Sequence, residues 1–128
     1  MSQNTLSKTK MRKVLIIEDE GDICLLLNIM LKDKNIDLEH VNSLAKAKEY
    51  LGKYTPSLIL LDNKLPDGLG MDFIQFIKHK YPSIKIVMIS GFHPDLTKEI
   101  ALMNGADIYL EKPFTKDQVF QSVQELLN

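Results

Sequence analysis

Cysteine occurs once in this sequence, at Cys24. No internal disulfide can form, and such sparing use fits a reducing compartment. The three histidines, His40, His79 and His93, are scattered, suggest no metal cluster and read as solvated. Long apolar runs are missing too. Nothing approaches the length of a membrane span, and no apolar signal core precedes Val14. Charge of one sign is also lacking. A net charge of −1 gives no electrostatic case for nucleic acid or an anionic membrane as partner. These absences point to a cytoplasmic protein with no membrane insertion and no direct nucleic-acid role.

What is present is ordinary globular composition, with 45% hydrophobic and 26% charged residues, and 128 residues suffice for one domain with a sizeable core. Four basic residues, Lys8, Lys10, Arg12 and Lys13, and no acid fall in the first 13 positions. Residues 1–10 are polar and aperiodic, so a flexible tail over 1–12 is expected ahead of a domain over 13–128.

The chain is organised around Pro56–Gly70. Leu58, Ile59, Leu60 and Leu61 form a short apolar run that suits a strand buried on both faces, and it stops at Asp62. Asn63, Pro66, Asp67, Gly68 and Gly70 supply turn chemistry. Before this stretch, Val14–Ile17 reads as a first buried strand ending in Glu18-Asp19-Glu20. A helix from about Asp22 to Lys32 turns Ile23, Leu27, Met30 and Leu31 inward, and Ile36–Val41 alternates like an edge strand. Ser43 caps a second helix with Leu44, Ala47, Lys48 and Leu51 inward or snorkelling, stopped by Gly52.

After Gly70, Phe73, Ile74, Phe76 and Ile77 mark a third helix ended by Pro82, and Ile84–Ile89 is a fourth strand ending at Ser90-Gly91. A fourth helix from near Pro94 carries Leu96, Ile100 and Met103 and closes at Asn104-Gly105. Ala106–Leu110 is a fifth strand ending at Glu111-Lys112-Pro113. Thr115 caps a last helix with Val119, Val123, Leu126 and Leu127 inward, and the six methionines read as core packing. This regular alternation predicts an α/β fold, a doubly wound five-stranded parallel sheet with helices on both faces and right-handed crossovers.

In such a sheet Glu18, Asp19, Asp62, Ser90 and Lys112 share one edge. Close carboxylates raise each other's pKa unless a cation is present, and a hard divalent ion such as Mg²⁺ accepts a few carboxylates plus carbonyl and phosphate oxygens. A lysine and a hydroxyl add donors for an oxyanion. Together these residues describe a phosphoryl-transfer site with an aspartyl-phosphate product.

On those residues, from about Lys13 to Leu127, the chain resembles the receiver domain of two-component response regulators, of the single-domain CheY-like kind. The resemblance implies a flavodoxin-like strand order 2-1-3-4-5. It also implies phosphoryl acceptance at Asp62 from a sensor histidine kinase or histidine phosphotransfer protein. Asp19, Asp62 and the Lys64 backbone carbonyl would hold Mg²⁺, with Glu18 acting through water. Lys112 would pair with a phosphoryl oxygen, Ser90 would hydrogen-bond the phosphoryl group, Tyr109 would be the switch aromatic, and the Lys112–Pro113 bond would be cis. Catalysis would extend only to the chain's own phosphorylation and dephosphorylation. A downstream protein or a second copy would bind the face of the fourth helix, fifth strand and fifth helix.

Rival readings fit less well. A haloacid-dehalogenase-like phosphatase needs an acid two residues after its nucleophile, where this chain has Lys64. A flavin carrier needs a phosphate-cradling loop after Ile17, where three acids stand and would repel it. The alternative is a pseudo-receiver, a protein-binding module that never takes phosphate, which loss of a key residue would favour; none is lost. Taken alone, Tyr109 would be core with its hydroxyl at the surface. Gly91 stands where many receivers carry alanine. Lys64 and Phe92 occupy the positions that in this family flank water's approach to the phosphoryl group. Neither can orient a water, so a long-lived phosphorylated state is expected. No output domain follows Asn128, so action through protein contacts is expected, although a piece of a larger regulator would read the same.

Overall fold

The computed structural model describes residues 11–32, 35–91 and 95–127. The expected tail over residues 1–10, the Pro94 helix start and the Leu96 side chain lie outside the described part. Strand β1 (Arg12–Ile17) is followed by α1 (Gly21–Met30), β2 (Ile36–Val41), α2 (Leu44–Leu51) and β3 (Leu58–Asp62). Then come α3 (Gly70–Lys80), β4 (Lys85–Ser90), α4 (Asp95–Met103), β5 (Ile108–Glu111) and α5 (Lys116–Leu127). All five strands pair in parallel in the order β2-β1-β3-β4-β5, the flavodoxin-like order expected. Arg12 belongs to β1 rather than to the tail, because it pairs with Ile36 and its N–H donates to the Asn35 carbonyl at 2.8 Å.

The two-residue period of the buried strands sorts the core into two layers. Leu15, Ile17, Ile59, Leu61, Ile86 and Met88 face α2, α3 and α4. Val14, Ile16, Leu58, Leu60, Val87 and Ile89 face α1 and α5. Helix α5 opens with reciprocal bonds: the Gln118 N–H donates to the Thr115 hydroxyl and the Thr115 N–H to the Gln118 side chain. Strands β1 and β3 lie side by side while β2, between them in the chain, pairs with the other edge of β1. The crevice at their carboxyl ends is therefore the switch point where open α/β sheets place ligands.

Two packing expectations fail. Helix α4 buries Thr97 and Ala101, whereas Ile100 and Met103 are exposed, Met103 at 84%. Nor are the methionines uniformly core. Met88 is buried, Met30 and Met71 pack at the core's edge, and Met11 and Met103 face solvent. Leu25, Ile29, Leu102 and Met103 are left in solvent: α1 offers only Asp22 and Asn28 as polar residues, and α4 ends in four consecutive apolar residues beyond its polar Lys98 and Glu99.

Candidate functional site

Strand β3 carries Asp62 to its last position, where the side chain is buried at 3% exposure. The loop beyond it is tighter than a simple turn. Lys64–Leu65 and Gly68–Leu69 pair antiparallel around Pro66-Asp67, and Asn63 anchors the start of α3 by accepting from Gly70 and Met71 N–H groups. Gly70 is required here: a Cβ would come within 2.2 Å of the Asp62 carbonyl oxygen. The phosphoacceptor candidate thus sits between a strand and a helix pinned close to each other.

The residues singled out from the sequence do converge. Asp19, Asp62, Lys64, Ser90 and Lys112 line a single cavity of about 540 Å³, together with Glu20, Asn63, Leu69 and Gly91. Carboxylate oxygens of Glu18, Asp19 and Asp62 lie within 4.8 Å of one another, a set of hard donors that could hold a cation. Ser90 is buried at the end of β4, and its carbonyl accepts from the Lys112 N–H, which ties the ends of β4 and β5 together. The Lys112–Pro113 peptide is cis.

Electrostatics centre on Lys112. Its ammonium stands 3.0 Å from Asp62 Oδ1, 3.3 Å from Glu20 Oε1 and 3.5 Å from Glu18 Oε1. Burial works against its charge, but the Asp62 hydrogen bond and the neighbouring carboxylates prevail and hold its pKa above the ordinary lysine value. Burial pushes Asp62 up, while the Lys112 bond and charge pull it back only in part. Glu18, buried beside Asp62, is pushed up to about 7 by desolvation and then by that second carboxylate. Burial is the first cause in both, so keeping these two acids charged together calls for a positive partner beside them.

Other residues fall less simply. The Tyr109 hydroxyl, read as a surface group when taken alone, is buried with no hydrogen-bond partner among the described residues. His40 is exposed but not merely solvated, since its Nε2–H donates to the Glu18 carbonyl at 2.7 Å. Phe92 and His93 lie outside the described residues. Glu20 was missed as a site residue, and Asp67 as the cap that ties the loop after β3 to α2. Nothing in the sequence marks a surface acid whose partner is a distant lysine or the amides of another helix.

The family model described as the response regulator receiver domain matches residues 14–124. Among curated proteins, the response regulator protein PilR of Pseudomonas aeruginosa is 36% identical over 102 residues, covering 80% of this chain and 23% of its own length. The cell cycle transcriptional regulator CtrA of Caulobacter vibrioides is 32% identical over 116 residues, covering 90% and 50%. The chain therefore spans from 23% to 50% of the length of these relatives. Among solved structures, the signal receiver domain of a LuxO repressor protein from Vibrio parahaemolyticus superposes with a TM-score of 0.87 at 28% identity. It covers 91% of this chain and 90% of its own. The beryllofluoride-activated NtrC4 receiver domain dimer gives 0.86 at 29% identity, covering 91% and 96%.

Proposed function

This chain belongs to the response regulator receiver family of two-component systems, and we propose that it takes a phosphoryl group from a histidine kinase or histidine phosphotransfer protein onto Asp62. One observation carries the reading: a buried carboxylate at the end of the central strand, held 3.0 Å from the Lys112 ammonium in a cavity that Ser90 also lines. An Asp62 oxygen attacks phosphorus, and the P–N bond to the donor imidazole breaks. The imidazole leaves with the bonding electron pair and is protonated as it departs. Lys112 then pairs with one phosphoryl oxygen, and the Ser90 hydroxyl donates to another.

The acidic set suits Mg²⁺. Asp19, Asp62 and the Lys64 carbonyl would hold it, with Glu18 acting through water, and the bound ion offsets charge gathering on the phosphoryl oxygens. The raised pKa values of Glu18 and Asp62 support that need for a counter-charge. Drawing the Ser90 hydroxyl toward the phosphoryl group would let Tyr109 follow and so alter the face made by α4, β5 and α5, where a protein target or a second copy would bind. A relative's receiver forms a dimer when activated by beryllofluoride, which supports this.

The test is intact-mass measurement after incubation with acetyl phosphate and Mg²⁺. The wild-type chain should gain one phosphoryl group, about 80 Da, and Asp62→Asn should gain none. Omitting Mg²⁺ or replacing Asp19 with alanine should cut the yield sharply. Wild-type protein left unmodified under donor excess with Mg²⁺ present would instead favour the phosphorylation-independent binding module.

A further inference from the structure

Glu20 is the one acid of the Glu18–Glu20 run with no part in the phosphoacceptor reading. It stands just ahead of α1, 63% exposed on its side chain, and lines the mouth of the cavity. Its Oε1 accepts from the Lys112 ammonium at 3.3 Å. That ammonium has three N–H bonds, and three carboxylates face it. Two of them are fixed. Asp62 ends the central strand, and the second oxygen of buried Glu18 accepts the Glu20 N–H at 3.1 Å. Glu20 is the only one of the three whose carboxylate can exchange lysine for water at little cost.

We propose that Glu20 is a latch on Lys112, occupying the ammonium donor that an incoming phosphoryl oxygen needs and so restraining the site against anionic donors. The inference rests on the phosphoacceptor reading. When Asp62 is modified, Lys112 turns one donor to the phosphoryl group. Freeing Glu18 would strand a buried carboxylate, so the exposed Glu20 is the group displaced. Glu20 is a positioning residue, acting on the transfer only through Lys112. A negative charge at the cavity mouth also repels anions through space, and a double-mutant cycle separates the two effects.

The experiment compares wild type, Glu20→Gln, Lys112→Ala and the double variant, each at saturating Mg²⁺ and checked for fold by circular dichroism. It times modification by acetyl phosphate and titrates beryllofluoride by NMR, the second readout covering variants that react too slowly to time. In the wild-type background, Glu20→Gln should speed modification and tighten beryllofluoride binding about two- to fivefold, the worth of an exposed ion pair. In the Lys112→Ala background the same substitution should give a clearly smaller gain in both, only the part due to through-space repulsion. No gain from Glu20→Gln, or an equal gain with Lys112 absent, overturns the latch alone. A wild-type protein that takes up no phosphoryl group overturns the phosphoacceptor reading and the latch with it.

Discussion

Hydrolysis of an aspartyl phosphate needs a water in line with the departing Asp62 oxygen, so the side chains flanking that approach set how long a modification lasts. Lys64 lines the cavity and is exposed, and it offers no carboxylate or amide to hold a water there. Phe92 lies outside the described residues, and the family resemblance implies it as the other flanking residue. After removal of the donor, Lys64→Asn and Phe92→Glu should each shorten the phosphorylated lifetime about tenfold, a modest share of what positioning a nucleophile supplies. Decay followed by intact mass decides it, and two variants that decay like wild type would end the gating idea. At this scale the sequence was most legible where a charged residue interrupts an apolar run. Asp62 ends β3 and Lys112 follows β5, on either side of β4, and their side chains meet at the shared edge. Glu20 was illegible because its partner lies 92 positions away and the contact depends on where a long lysine side chain aims.

The elements show why a local cap signal can be right yet incomplete. Ser43 does cap α2, accepting from the Lys46 N–H at 3.1 Å, but two more amides of the first turn remain without helical partners. Asp67, at the tip of the small hairpin after β3, supplies them, accepting from Leu44 and Ala45 at 2.9 Å each. Those amides hold its carboxyl below the usual carboxylate range. A depressed acid contributes stability that is fully present above its unfolded pKa of about 3.9, and this is lost as pH falls through the lower folded value. Asp67→Asn should therefore lower the urea midpoint by a constant amount from pH 7 down to about pH 5, and the gap from wild type should close on further acidification. A gap that persists unchanged at pH 3 would show that the carboxylate's charge is not what α2 uses. Helix α4 was misread for the opposite reason, an excess of signal: Ile100, Ala101, Leu102 and Met103 are all apolar, so periodicity carries no phase. Packing selected Ala101, small enough to lie flush in the layer that also holds Ala106 and Met88.

Across the whole molecule, one sheet edge links the chemistry to a surface. Ser90 ends β4 in the cavity, and β5 beside it carries Tyr109 in register with Met88. Helix α4 presents Ile100, Leu102 and Met103 to solvent nearby. A signal needs two packings of this edge close in free energy, with phosphorylation favouring one. The Tyr109 hydroxyl is suited to that task, since it is buried without a partner among the described residues and a group left so costs about 1–3 kcal/mol. The unphosphorylated packing is thereby destabilised, and the protein should already sample the other. Tyr109→Phe removes the unsatisfied group, so it should stabilise the unphosphorylated fold by about 1 kcal/mol in urea titration. The same free energy should shift the equilibrium away from the switched packing and lower the fraction switched on adding beryllofluoride, because the ligand shifts the equilibrium only by its differential affinity. Amide NMR reads both effects. In wild type, beryllofluoride with Mg²⁺ should move Ser90, Tyr109 and the α4 amides together with those of the Asp62 loop. Shifts confined to the loop, with Ser90 and Tyr109 silent, would mean that modification is not relayed along this edge.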